Sequence, residues 1–332
     1  MTRFHHVSNG TSATSTIVDA GIPGTWSIWA DPLYEGPVPG GVSDAELMDV
    51  RRLFLGGGKV DEDVDPVIDL RNWRSAIERR ECYDELVLWF EHDLFDQLNL
   101  IQLLSWLRER GVADSPVSLI CIGAFPGRPQ FKGLGELTPQ ELAPLIDTRQ
   151  PVTDDQYALA ERAWLAFRSN TPQVIDDLRR TNTTALPFLS AALTRLLEEY
   201  PSTTSGLSRS ERRLLTLADP GPLDLRAAFP RMHEDEDAYY ITDLSLAALA
   251  DDLSSESAPL LTVTLAQPDD EIRLRRFATL TDTGRAVLAG RKDKVAMSGI
   301  DRWIGGVHLA GADSSWRWDD RAQRIVRYRT GS

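Results

Sequence analysis

Hydrophobic and polar positions in the first part of the chain switch between two periods. Short apolar runs that read as strands alternate with stretches whose apolar residues recur every three or four positions. Arg3–Val7 is the first predicted strand, followed by the turn Ser8-Asn9-Gly10 and a helix from Thr11 to Ala20. Thr25–Ala30 alternates as a second strand, and a Gly/Pro-rich loop runs on to Gly41. Ser43 is a good N-cap for a helix to Leu55, which Gly56-Gly57-Gly58 ends. Past the acidic stretch Asp61–Asp65, a helix from Pro66 to Arg80, a strand at Glu85–Phe90, a helix from Leu94 to Arg110 and a strand at Val117–Ile122 complete the pattern. Strands alternating with helices predict βαβ units and a three-layer α/β domain with a parallel sheet.

The pattern changes near Thr148–Pro151. Helical periodicity then continues through Asp154–Phe167, Pro172–Thr181 and Ala185–Tyr200, which predicts a helical middle segment. Residues 201–206 (Pro-Ser-Thr-Thr-Ser-Gly) form a linker. Ser208 and Glu211 then stand at capping-box spacing. Helices to Ala218, at Leu223–Phe229 and at Thr242–Leu253 are followed by strands at Leu260–Leu265 and Arg275–Leu280. Three helices and a two-stranded hairpin resemble a winged helix. The tail from Trp303 to Tyr328, rich in Trp and Arg, reads as a β-hairpin. The expected division is 1–148 (α/β, ligand-binding), 149–205 (helical), 206–290 (winged-helix-like) and 291–332 (tail).

Charge narrows the partners. The chain has 332 residues and a net charge of −14, which disfavours broad contact with a phosphate backbone or an anionic membrane surface. Two cysteines, Cys82 and Cys121, are too few for a disulfide framework or a four-cysteine metal site. The N-terminus lacks the apolar stretch of a signal peptide, and no run reaches the ~18 apolar residues of a membrane span. A cytoplasmic protein is expected.

In an open parallel sheet, ligands bind beyond the carboxyl ends of the strands. The segments predicted there are Ser8-Asn9-Gly10-Thr11-Ser12, Asp31 with its Pro-rich loop, Glu91-His92-Asp93, and Gly123–Arg128. The first leads straight into a helix. Free amides with hydroxyl neighbours suit a phosphate or carboxylate, and Gly10 is expected to let the chain turn tightly. The plain alternative is an ordinary cap. Asp31 is placed to meet a ribose hydroxyl, or else to cap a turn. His92 is a candidate acid or base near neutral pH. Asp93 could orient a group, or could simply be the N-cap of the following helix with Asp96 in its first turn. Ser12 could act as a nucleophile with His92 as base, but no nucleophile elbow is present. A metal held by His6, His92 and Asp31 has no dense ligand motif behind it, so no metal is expected, and no cofactor is indicated.

His6-Val7-Ser8-Asn9-Gly10-Thr11-Ser12, Trp29–Pro37, Leu88–Asp93 and Gly135–Leu142 together resemble the bacterial domain of unknown function 1835, over residues 4–146. The resemblance implies a grouping of these motifs in one domain and brings no activity, cofactor or catalytic residue.

The leading expectation is an enzyme or binding protein for a small anionic ligand, phosphorylated or nucleotide-like. Residues Ser8, Asn9, Gly10, Thr11 and Ser12 would hold the anion, Asp31 would orient the ligand, and His92 with Asp93 would move any proton. The rival is a non-enzymatic regulator or protein-interaction module with the α/β domain as sensor. DNA binding is not expected. A recognition helix needs Arg, Lys, Asn or Gln at base edges, whereas Thr242–Leu253 carries three Asp and none of these. The loop 233–237 and the wing tip 267–271 are acidic too, with Arg273, Arg275 and Arg276 the nearby cations. Arg321–Arg329 could contact nucleic acid or an acidic partner.

Overall fold

In the computed structural model, which describes residues 2–57, 67–265, 274–313 and 315–328, the alternation of the first part becomes β1 (Phe4–Ser8), α1 (Thr11–Asp19), β2 (Thr25–Ile28), α2 (Asp44–Leu55), α3 (Ile68–Glu78), β3 (Glu85–Glu91), α4 (Leu94–Glu109) and β4 (Val117–Ile122). The acidic stretch 61–65, the wing tip 267–271, Arg273 and Arg329 lie outside the described residues. α5 (Pro139–Leu142), β5 (Gln150–Pro151), α6 (Asp154–Phe167), α7 (Gln173–Arg179) and α8 (Leu189–Leu197) follow.

The sheet has the order β2-β1-β3-β4-β5. β1 pairs parallel with β2 and β3, and β3 pairs parallel with β4. β5 runs antiparallel on β4, Ser118 opposite Pro151. The sheet is parallel as expected over its four main strands and gains an antiparallel edge in β5. A two-residue edge strand has no periodicity to read. β3 explains the centre of the sheet: from Leu86 to Phe90 every residue is fully buried, as in a strand covered on both faces. Val87 and Trp89 join Ala13 and Ile17 of α1 and Leu142 of α5 in one core cluster. Leu86, Leu88 and Phe90 alternate to the opposite face.

The chain divides into two compact units, Met1–Leu193 with Gly305–Val307, and Thr194–Ile304 with His308–Ser332. The division falls within α8 rather than near residue 148. β5 extends the sheet and α6 packs on α4, so the helical segment 149–205 is no unit of its own.

The second unit runs through α9 (Arg209–Ala218), β6 (Leu223–Asp224), α10 (Leu225–Met232), α11 (Asp243–Ser255), β7 (Leu261–Leu265), β8 (Arg276–Leu280), α12 (Asp282–Leu288) and α13 (Lys294–Ser298). The capping box of Ser208 and Glu211 is formed. The strands make a small antiparallel sheet in the order β6-β8-β7. Buried Glu211 is paired with Lys294 at 2.8 Å and with Arg302. The tail forms two two-stranded sheets rather than one hairpin, β9 (Asp301–Ile304) with β10 (Val307–Ala310) and β11 (Trp316–Asp319) with β12 (Arg324–Arg327). Among the described residues, no helix is long and apolar enough to cross a membrane.

Candidate functional site at the β1/β3 switch point

The chain leaves β1 towards β2 on one side and returns to β3 on the other. The direction of winding thus reverses between β1 and β3, which is where open α/β sheets bind ligands. Two strand ends meet there. β1 delivers Ser8–Ser12, and β3 delivers Glu91, His92 and Asp93.

Ser8 is fully buried. Its Oγ lies 2.6 Å from Thr14 Oγ1, so it serves the strand–helix turn. Asn9 donates its side-chain amide to Asp96 Oδ2 at 2.8 Å, across the switch point. Gly10 precedes α1, which has no side-chain N-cap, so amides of the first turn keep their donors for another acceptor. Gly10 itself is extended (φ 169°), and a Cβ there would meet nothing within 4 Å. The turn from β1 into α1 is thus made without a left-handed residue at Gly10, and glycine is not required by the backbone there. Thr11 and Ser12 are exposed.

Beneath them lie three carboxyls. Asp93 Oδ1 accepts the backbone N–H of Asp96, making Asp93 the N-cap of α4. Asp96 Oδ1 accepts from the backbone N–H of Glu91 at 3.1 Å. Glu91 Oε1 accepts from the N–H of Leu134 at 2.6 Å. The sequence places Asp96 in the first turn of a helix that starts directly after β3, and the cap folds that turn back onto the strand end. Oxygens of Glu91, Asp93 and Asp96 lie within 4.8 Å of one another, all buried. Among the described residues this is the group whose donors could hold one hard divalent cation.

Burial pushes Glu91 up to about 8, with the neighbouring Asp93 charge adding to the rise. Burial raises Asp93 to about 6, against the lowering effect of hydrogen bonds from Asp96. Asp96 is also raised well above its ordinary value, by burial and then by the charges of Glu91 and Asp93. Near neutral pH the cluster thus holds a protonated Glu91 beside an Asp93 that is mostly ionised, the arrangement that separates an acid from a base. Cys121, within 3.5 Å of the Gln97 amide, is pushed up to about 12 by burial and stays a thiol.

The segment after β4 closes over this floor. A Cβ at Gly133 would lie 2.4 Å from Glu91 Oε2, and one at Gly135 would lie 2.7 Å from Ser12 Oγ. These two glycines let the backbone pass close to both halves of the site. His92 is half-buried between the rings of Phe131 and Phe188, at 6.3 and 6.0 Å.

Two predicted residues stand apart from this chemistry. Asp31 is buried and takes Nε of Arg51 at 2.9 Å, while Asn99 bonds both its N–H and its C=O. Arg51 also donates to the carbonyls of Pro32 and Glu35. Asp31 therefore anchors the Pro-rich loop rather than presenting a carboxylate to a ribose. His6 is fully buried, with Nε2 on the Pro23 carbonyl and Nδ1 accepting from Trp89 Nε1. Both ring nitrogens are engaged, so a metal on His6, His92 and Asp31 has no geometry here. Glu91 and Asp96 are the site residues that sequence reasoning passed over as candidates, although both lie in the run Glu91–Asp96 that carries the strand-end charge.

No family model matches the chain, and no curated protein matches it.

Proposed function

We propose that the first unit binds a small phosphorylated or nucleotide-like anion at the β1/β3 switch point and that the carboxyls below it move a proton at that ligand. The anion meets the first-turn amides of α1 with Thr11 and Ser12, where the helix dipole favours negative charge. Glu91, kept neutral by burial, does not repel it. Glu91 is the proton donor, Asp93 the acceptor, and His92 borders the ligand. Asp31 and Arg51 hold the neighbouring loop. The observation that carries this reading is the Asn9–Asp96 hydrogen bond, which joins the anion loop to the carboxyl cluster. Shifted carboxyl pKa values at the strand end support it further.

The proposal keeps the grouping of residues 4–146 with the bacterial domain of unknown function 1835, and a three-layer arrangement of the first unit. It also reads the second unit as winged-helix-like, on the order α9-β6-α10-α11-β7-β8 with β8 central. That module is a protein-interaction element rather than a DNA reader. Asp243, Asp251 and Asp252 lie on α11, and Arg276 is paired with Asp251 at 2.5 Å. Duplex DNA should bind a 206–332 segment no more tightly than the micromolar non-specific range.

The ligand reading is tested by thermal shift of the full chain with adenosine monophosphate, ribose 5-phosphate and inorganic phosphate. At least one should stabilise the protein, and Gly10→Val, which puts a branched side chain into open space beside α1, should remove that gain while Gly10→Ala folds normally. Equal stabilisation of Gly10→Val would place the anion elsewhere.

A further inference from the structure

The second unit contains a cavity of about 230 Å³ between α9 and the loop joining α10 to α11. Its floor is apolar: Met232, Tyr239 and Ile241 line it and are themselves buried. The Tyr239 ring is held in place by Arg195, whose guanidinium lies 4.8 Å from the ring centre. The rest of the lining is charged, with arginines of α9 and the acidic residues Glu234, Asp235 and Glu236 of the loop.

These charges are already neutralised. Glu236 takes Arg195 at 2.7 Å and also Arg209. Each of these arginines has a second acid, Glu199 at 2.5 Å for Arg195 and Glu198 at 2.7 Å for Arg209. Glu234 takes Arg213 at 3.3 Å. Arg212 turns Nη2 to the hydroxyls of Ser202, Thr204 and Ser205 and pairs with Asp320, and none of these four lines the cavity. Asp235 is exposed, where water solvates its carboxylate. A charged group entering the cavity would lose hydration without gaining a free counter-ion, and burying an unpaired charge is costly. An uncharged ligand avoids that cost.

We propose that this cavity binds a small uncharged aromatic molecule, one ring with a short neutral arm, on the Met232–Tyr239–Ile241 floor. The size fits. A dry cavity of about 150 Å³ accepts benzene, so about 230 Å³ holds a ring and its arm. The lining favours a ring over an aliphatic chain, because the Met232 thioether and the Tyr239 ring both gain from contact with an aromatic partner. The site lies within the second unit and does not rest on the reading given for the switch point.

NMR of the full chain carrying ¹³C-methyl methionine tests the proposal at the floor itself. The chain has four methionines, of which Met232 lines the cavity. Benzyl alcohol should shift the Met232 methyl saturably, with half-saturation at about 1–10 mM, the range open to a ligand of so few atoms. Met48 and Met297 should stay in place. Benzoate and benzylammonium, of the same size and opposite charge, should need at least about tenfold higher concentrations. Thr216→Trp, at an exposed position of α9 that lines the cavity, should fill the space and remove the response to benzyl alcohol while keeping the circular dichroism of the wild type. The proposal is overturned if the Met232 shift does not saturate, if Met48 and Met297 shift at the same concentrations, if either ion matches benzyl alcohol, or if Thr216→Trp responds like the wild type.

Discussion

The side-chain amide of Asn9 and the Oδ2 of Asp96 lie 2.8 Å apart, although 87 residues separate them in the chain. The bond ties the turn after β1 to the first turn of α4. Removing it with Asn9→Ala leaves a buried carboxyl short of a donor, which costs about 1–3 kcal/mol. Urea unfolding at neutral pH should show a lower midpoint with an unchanged slope. An unchanged midpoint would mean that the two strand ends are not coupled.

Glu91 links the site to pH. Its carboxyl is raised from the ordinary 4.5 to about 8, so between those values the folded chain holds a proton that the unfolded chain has lost. Stability contributed by this group is complete below 4.5 and is lost as the pH rises through about 8. Glu91→Gln keeps an acceptor for the Leu134 N–H and removes the titration. The variant should unfold like the wild type at pH 4 and at a higher temperature than the wild type at pH 8. A Glu91→Gln variant that gains no stability relative to the wild type between pH 4 and pH 8 would contradict the burial argument.

The histidines of β1 act in the opposite sense. Burial lowers His5 and His6 from 6.5 to about 4, so the folded chain binds fewer protons than the unfolded chain between those values. Their contribution is present above 6.5 and is lost as the pH falls towards 4. Histidine resonances of the folded protein followed by NMR from pH 7 to 5 should leave both rings neutral. Titration of either near pH 6.5 would show that it is not buried as described.

Arg51 and Asp31 form a buried pair, both side chains almost without solvent contact. Arg51→Met strands a buried carboxylate and should cost about 3–5 kcal/mol, and adding Asp31→Asn should recover part of the loss. Denaturant unfolding of the single and double variants measures this coupling. A double variant no more stable than Arg51→Met would mean that Asp31 does not depend on Arg51.

Much of the first unit is legible because its strands and helices differ in period. Val117–Ile122 coincides with its predicted range, and Ser43 is the N-cap of α2, as its position suggests. β5 is not legible, because Gln150–Pro151 is defined by its partner on β4 and by nothing in its own two residues. Half of the candidate site is legible in the same way. Strand ends locate Asn9 and Asp93, but the approach of Asn9 to Asp96 and of Leu134 to Glu91 depends on tertiary packing. Asp31 reads as a ligand contact because its place at the end of β2 is visible in the sequence, whereas Arg51, on the following helix, becomes its partner only after folding.

The central claim is that an anion sits on the amides that open α1, and Thr11→Asp tests it most directly. A carboxylate in the first turn favours the helix dipole by about 0.3–1 kcal/mol, so the variant should fold at least as stably as the wild type while repelling a second anion. Calorimetric titration of adenosine monophosphate into both proteins at pH 7 is the measurement. Saturable binding to the wild type that disappears in Thr11→Asp is the predicted result. No binding to the wild type, or equal affinity for the two proteins, would contradict the account.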